Sequence, residues 1–285
     1  MRRRLTLALV ATAAVALLEF WGGAVSQSLA LTSDAAHVCM DVFALGLALV
    51  ASIGAQRPAD PRRTFGYGRI EVLGALVNGT LLLVATVVIV YAAVRRFAAP
   101  VEPHATIMTV VACVGLAVNG GVGWLLHRDG GSDLNVRAAL FHVLGDALGA
   151  IAVVLGGIAI ALTHAAWIDP ALSLFVAAII VVGVGRVLRD ATHVLLESVP
   201  EDVDATDLTR HLERIGGVAG VHDLHVWSIA SGSHALSAHV LLDDRRLSEA
   251  ADVLREIDAC LKEHFGIAHS TIQFECDSCP VVARH

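Results

Sequence analysis

The stretch DAAHVCMDVFALGLALVAS, residues 34–52, is apolar enough to lie in a bilayer, yet it carries His37 and Asp41 near its start. A second stretch, ALFHVLGDALGAIAVVLGG, residues 139–157, repeats the pattern with His142 and Asp146. Both read H-V-x-x-D before a long apolar run, and the second histidine lies 105 residues after the first (142 − 37). Residues i and i+4 share one face of a helix, so each histidine points the same way as its aspartate. A charged aspartate at the centre of a membrane helix costs about 2.5–3.5 kcal/mol on insertion scales, so two of them need a reason. Placed face to face, the two helices offer two imidazole nitrogens and two carboxylate oxygens, the donor set of a tetrahedral Zn2+ site. Imidazole favours Zn, Cu, Ni or Fe over Mg or Ca. A bound 2+ ion also offsets two buried carboxylates.

The surrounding composition supports a membrane setting. The 285 residues are 56% hydrophobic and only 16% charged, with mean hydropathy +0.69. A soluble domain carries about a quarter charged residues, and the deficit here is confined to the part before the last 90 or so. A bilayer core of about 30 Å takes about 20 apolar residues in helix, and six segments qualify: 5–26, 34–53, 70–94, 104–126, 136–163 and 167–188. The start, MRRRLTLALVATAAVALL, imitates a signal peptide, but its apolar run continues to Val25 and reads as a retained span. Arg2–Arg4, the loop with Arg57, Arg62, Arg63 and Arg69, Arg128 with Arg137, and Arg186 with Arg189 all fall on one side. Arg95 and Arg96 oppose them and are outnumbered. Basic loops face the cytoplasm, which puts both termini there. A net charge of −7 and 5% aromatics exclude the basic, aromatic-lined surface of a nucleic-acid binder.

Beyond HVLLESVPED, 193–202, the pattern becomes that of a soluble domain. Residues 203–215 have helical spacing, 221–229 and 234–243 read as strands around the turn ASGS, a helix opens at Ser248 with Glu249, and 269–276 reads as a last strand. The order α-β-β-α-β makes a small α/β domain of about 80 residues, a size that dimerisation would help to stabilise. The expected organisation is a six-helix transmembrane domain over 1–192, a linker over 193–202, and a cytoplasmic domain over 203–285. Five cysteines, an odd number without a secreted-domain pattern, fit a reducing compartment; only Cys276 and Cys279 have ligand-like spacing.

Two other readings of polar groups in a membrane fail on particular residues. Intramembrane aspartyl proteases carry G-x-G-D, but Val143 stands where the first glycine would be and Met40 where an aromatic precedes the other aspartate. No H-E-x-x-H occurs, which removes the usual membrane metalloprotease.

The sequence resembles the cation diffusion facilitator family, in its zinc-exporting branch. The resembling stretches are SLALTSDAAHVCMDVFALGLALVAS, RTFGYGRIEVLGALVNG, NVRAALFHVLGDALGAIAVV, DPALSLFVAAIIV and GVAGVHDLHVWSIASGSHALSAHV, which extend over nearly the whole chain. The resemblance implies six transmembrane helices, a cytoplasmic metallochaperone-like domain, a homodimer, and exchange of cytoplasmic Zn2+ for protons. It implies transport and no enzymatic activity, with zinc as substrate and regulatory ligand and no organic cofactor. It also implies that His37, Asp41, His142 and Asp146 form the transport site, with Cd2+ a second candidate ion; the short loops favour a bacterial plasma membrane as the host. In the tail, His222, His239 and Glu275 match positions that bind zinc in relatives, while Gln273 replaces a histidine found in some. Cys276 and Cys279 are a weaker ligand pair. Relatives with a metal site in the loop between spans two and three carry histidines around F-G-H-G; Arg63 and Tyr67 stand here, so that loop site is expected to be absent. Arg69 and Glu197 are an expected charge pair. His225 and Trp227 are expected to pack in a strand. Glu19, Asn78 and Asn119 are further polar residues inside spans, none assigned to metal; for Glu19, lining the cavity and packing between helices both stay open. A competing class is a membrane metal sensor that does not transport.

Overall fold

The computed structural model describes residues 2–127, 134–230, 232–243 and 247–276; within its helices, the side chains of 2–9, 45, 48, 123, 125–127, 134–144 and 247–248 lie outside the description. Six long helices come first: α1 (Arg2–Ser26), α2 (Leu29–Ala55), α3 (Arg69–Ala98), α4 (Ala105–His127), α5 (Leu134–Thr163) and α6 (Ile168–Leu195). At 1.5 Å per residue, the 27 residues of α2 extend about 40 Å, more than a bilayer core requires. Five of the helices, α2 to α6, contain a stretch long and apolar enough to cross a membrane; the described apolar stretch of α1 is Val10–Ser26. Large apolar side chains stay exposed along these helices, among them Leu49, Val87, Val88, Leu155 and Leu162. Such continuous exposed apolar surface is costly in water and ordinary in lipid. Exposed Trp21, Trp124 and Trp167 lie at helix ends, where indoles suit the bilayer interface.

The chain forms two compact units, 1–49 with 77–188 and 50–76 with 189–285. In the first, α1 packs on α4 and α4 on α5. Lipid gives helices no hydrophobic drive to associate, so close approach at small residues matters. Added methyl groups at Gly22, Gly79, Gly156 and Gly157 would meet Val111, Leu188, Leu172 and Thr109 respectively. One apolar cluster joins Ala30 and Leu31 of α2, Met108 and Val111 of α4, and Val153 and Ile160 of α5. A second joins Leu82 of α3 with Val176, Ile180 and Val184 of α6.

The start of α2 is held from a distance. The Asp169 carboxylate, fully buried on α6, accepts from Ser28 Oγ at 2.6 Å, Leu29 N at 2.8 Å and Ala30 N at 3.2 Å. A helix start has four orphan N–H donors and favours a negative charge. Here both needs are met by a residue about 140 positions away.

The second unit contains α7 (Ala205–Glu213), β1 (Val218–Ala230), β2 (Ser233–Leu242), α8 (Leu247–Phe265) and β3 (His269–Glu275), the expected α-β-β-α-β order. Asp204 caps α7 by accepting from Thr206 N and Asp207 N, and those two bonds, Asp207's first, hold its carboxyl below the usual range. The sheet order is β1-β2-β3, with β1 antiparallel and β3 parallel to the central β2. Leu236, Ala238, Val240 and Leu242 of β2 pack with Val253, Ile257 and Leu261 of α8 and Leu208 and Leu212 of α7. Strand side chains alternate between faces, so His239 and Gln273 are left on the opposite face.

In the loop before α3, Asp60 accepts from Tyr67 Oη at 2.6 Å, Arg62 N at 2.7 Å and Arg63 N at 2.8 Å, and the Arg63 guanidinium lies 4.7 Å above the Tyr67 ring. These bonds, Tyr67's foremost, hold the Asp60 carboxyl below its ordinary range. Arg63 and Tyr67 thus serve to close the loop. Arg69 Nη2 donates to Glu197 Oε1 at 2.8 Å.

Candidate metal centres

In the first unit, His37 and Asp41 lie one helical turn apart on α2, and Asp146 reaches them from α5. His37 Nε2 stands 3.6 Å from Asp41 Oδ2 and 3.8 Å from Asp146 Oδ1. One donor atom from each of the three lies within 4.8 Å of the others. Donors at about 2.0–2.2 Å from a tetrahedral ion are separated by about 3.3–3.6 Å, and the two distances from His37 match that spacing to within about half an ångström. The fourth predicted donor, His142, belongs to α5 one turn before Asp146; its side chain lies outside the described residues. The three placed groups line a cavity of about 500 Å³, together with Asp34 of α2, Asn78 of α3 and Val184 of α6. Asn78 Oδ1 is buried and has no hydrogen-bond partner among the described residues. It thus adds a bare carbonyl oxygen to the cavity.

Two acidic residues of this region escaped the sequence reading. Asp34 precedes His37 by three residues and Asp41 by seven, so α2 presents three titratable groups on one face; that spacing was visible. Asp169 could have been suspected from its place in IDPAL, at the start of α6, but its partner helix could not.

The second candidate centre lies on the open face of the sheet. His222 and His239 are directly paired across β1 and β2, and Glu275 ends β3 opposite Leu241. Glu275 Oε2 lies 2.9 Å from His222 Nε2 and Oε1 lies 2.8 Å from His239 Nδ1. Donor atoms of all three fall within 4.8 Å of one another. Gln273 donates from Nε2 to Glu275 Oε1 at 3.0 Å. Burial opposes ionisation of Glu275, but hydrogen bonds from His222, Gln273 and His239, with the charge of His222, outweigh it and lower its pKa. His222 Nδ1 is buried without a partner among the described residues.

A β-bulge between His222 and His225 inserts Asp223, whose φ of +51° is a left-handed conformation that aspartate tolerates better than most residues. Its carboxylate lies 3.1 Å from His225 Nε2 and 3.7 Å from His239 Nε2. Sequence alone gave no sign of that extra acidic group. His225 is exposed, and Trp227 lines a cavity of about 820 Å³ with Phe65, Arg69 and Ile229. Cys276 directly follows β3 and is disulfide-bonded; Cys279 lies outside the described residues.

Comparison with known proteins agrees with both halves of this architecture. Residues 5–196 match the family described as the cation efflux transmembrane domain, and residues 200–277 match that described as the cation efflux protein cytoplasmic domain. The cadmium, cobalt and zinc/H(+)-K(+) antiporter of Bacillus subtilis is 39% identical over 265 residues, 92% of this chain and 85% of that one. The metal cation efflux system protein CzcD of Cupriavidus metallidurans is 39% identical over 277 residues, 97% of this chain and 87% of that one. The zinc transporter ZitB of Escherichia coli is 38% identical over 281 residues, 97% of this chain and 88% of that one. With an integral membrane half, a cytoplasmic C-terminal half and relatives aligned along nearly its full length, this chain belongs to the cation diffusion facilitator family of membrane transporters.

Proposed function

We propose that this chain is a Zn2+/H+ antiporter that exports zinc, with Cd2+ as a second ion, from the cytoplasm. The convergence of His37, Asp41 and Asp146 in one cavity carries the reading, and His142, one turn before Asp146, completes a His2Asp2 set. Names of relatives that specify zinc, cadmium and cobalt, and protons in exchange, support it. In the proposed cycle, deprotonated carboxylates and neutral imidazoles take the ion from the cytoplasmic side. Metal binding expels protons from such ligands, and protons returning from the more acidic side displace the ion once the helices open outward. A site near the membrane midplane, with the protein rocking around it, is the common device of secondary transporters.

The same reading takes 1–192 as the transmembrane domain, 193–202 as a linker and 203–285 as a regulatory domain of a homodimer in a bacterial plasma membrane. The described donors of the tail centre, two imidazoles and one carboxylate, suit Zn2+ with one coordination position left over. His222, His239 and Glu275 would hold the ion there. Cys276 and Cys279 remain a weaker ligand pair, since thiolate binding requires the disulfide of Cys276 to be reduced.

Zinc flux in proteoliposomes under an imposed pH gradient tests the proposal. Gradient-driven movement is expected for the wild type and its loss for Asp146→Asn. A wild-type protein that binds zinc tightly but moves none would overturn transport and leave the sensor.

A further inference from the structure

Beside the quartet sits a second group of carboxylates that the proposed cycle has not used. Glu19 of α1 is 1% exposed and Asp34 of α2 is 5% exposed. Asp34 lines the cavity of His37, Asp41 and Asp146, and α1 meets α2 where a methyl on Gly23, one turn beyond Glu19, would overlap Thr32, two residues before Asp34. Glu19 Oε2 is buried and has no hydrogen-bond partner among the described residues. A buried polar oxygen with no partner costs free energy, and a charged one costs more. Such a group inside a membrane helix is expensive enough to require a function.

The surrounding backbone is shaped to admit these oxygens. On α4, Gly115 faces Glu19 so closely that a methyl group there would overlap Oε1. On α5, a methyl at Gly149 would lie 3.4 Å from Asp34 Oδ1. Gly149 is three residues beyond Asp146, on the same face of α5. Glu19 is seven residues from the end of α1 and Asp34 five from the start of α2, about 10 and 8 Å along the helices. His37 and Asp41 are about 12 and 18 Å from the same end. The carboxylates therefore stand between the quartet and the α1–α2 turn, the outer end under the orientation set by the basic loops.

We infer that Glu19 and Asp34 form a transit site for the exported divalent cation, one step outward from the quartet. This rests on the transport reading. Oxygen-only donors hold Zn2+ less well than a set containing imidazole. An ion leaving the quartet thus passes to a weaker site nearer the exit. Conduction requires that sequence: binding favourable enough to enter and weak enough to leave.

The test compares Glu19→Gln and Asp34→Asn with the wild type as full-length protein. Zinc affinity is measured by chelator competition and turnover by zinc flux at saturating zinc. Each neutral variant is expected to keep quartet affinity within about threefold while turnover falls about tenfold or more, the scale of losses at outer-shell groups of metal sites. Gly115→Ala, which removes no charge but crowds Glu19, is expected to slow turnover as well. Glu19→Gln is expected to melt no lower than wild type, because Oε2 has no partner among the described residues to lose; a purely structural carboxylate would instead lose stability. Full-rate turnover in both neutral variants would overturn the transit site, as would affinity falling as far as turnover. Asp146→Asn, run alongside, separates the two readings. If it transports at the wild-type rate the quartet fails. If it is inactive while both neutral variants run at full rate, only the transit site fails.

Discussion

Replacing Asp169 probes how α2, the helix of His37 and Asp41, is held in place. Its carboxylate takes three hydrogen bonds, two on Oδ1 from Ser28 Oγ and Ala30 N and one on Oδ2 from Leu29 N. Alanine removes all three. At about 0.6 kcal/mol per bond, the average measured between membrane helices, the loss is about 2 kcal/mol. At about 1.5 kcal/mol each, the lower value for a charged acceptor, it is about 4–5 kcal/mol. Asparagine can keep the two bonds on Oδ1, but it turns an amide N–H2 toward the Leu29 N–H, so about 1–2 kcal/mol is lost. Ser28→Ala removes one of the three and is expected to cost about 1 kcal/mol. Reversible unfolding in mixed micelles would measure these differences. Chelator competition would show a parallel fall in zinc affinity, because His37 lies only eight residues beyond Leu29. An asparagine variant as stable as wild type, or an alanine variant costing under about 1 kcal/mol, would refute the capping role.

Three further predictions concern the second unit. His239→Ala removes one of the placed tail donors and is expected to weaken zinc binding there by a factor of ten or more, read by calorimetry on the full chain carrying Asp146→Asn. Glu275 has its pKa lowered from 4.5 and Asp60 from 3.8. For both, the stabilisation is fully present above those unfolded values and disappears as pH falls through the lower native ones; an acid titration should therefore show Glu275→Gln and Asp60→Asn flattening the acid limb. Gly68→Leu is expected to be severely destabilising, because even a Cβ there would approach Ala230 Cβ to 2.6 Å; unchanged thermal melting would contradict the packing.

The helices were legible because lipid imposes a strict length and an apolar composition, and the H-x-x-x-D pairs were legible because helical spacing is fixed. The tail elements followed from periodicity in the same way; β1 begins three residues before the expected strand, at Val218, since backbone pairing continues past the alternating core. Long-range polar closures were hidden from that kind of reading. Asp169 satisfies donors some 140 residues away, and no local pattern announces such a partner. Asp34 is obscured for another reason: it shares the helix face of His37 and Asp41, and the H-x-x-x-D spacing alone already accounts for a polar face there. Glu19 is legible as a polar residue within a span, but the features that bear on its role, the glycine on α4 and the lack of a described partner at Oε2, exist only in the fold.

The bulge in β1 has a consequence for inheritance. An extra residue in a strand that repaired its register by flipping faces would send His222 into the core. Here the insertion lies between His222, paired with His239, and His225, paired with Ser237, and the histidines on both sides keep to the open face. Asp223 is therefore a detachable part: deleting it would leave the sheet and all three donors in register. What would disappear is one negative charge. Under the proposed reading, Glu275 and Asp223 together would balance a 2+ ion, as Asp41 and Asp146 would in the membrane. A relative without the inserted residue would hold the same ion in the same frame with one uncompensated positive charge.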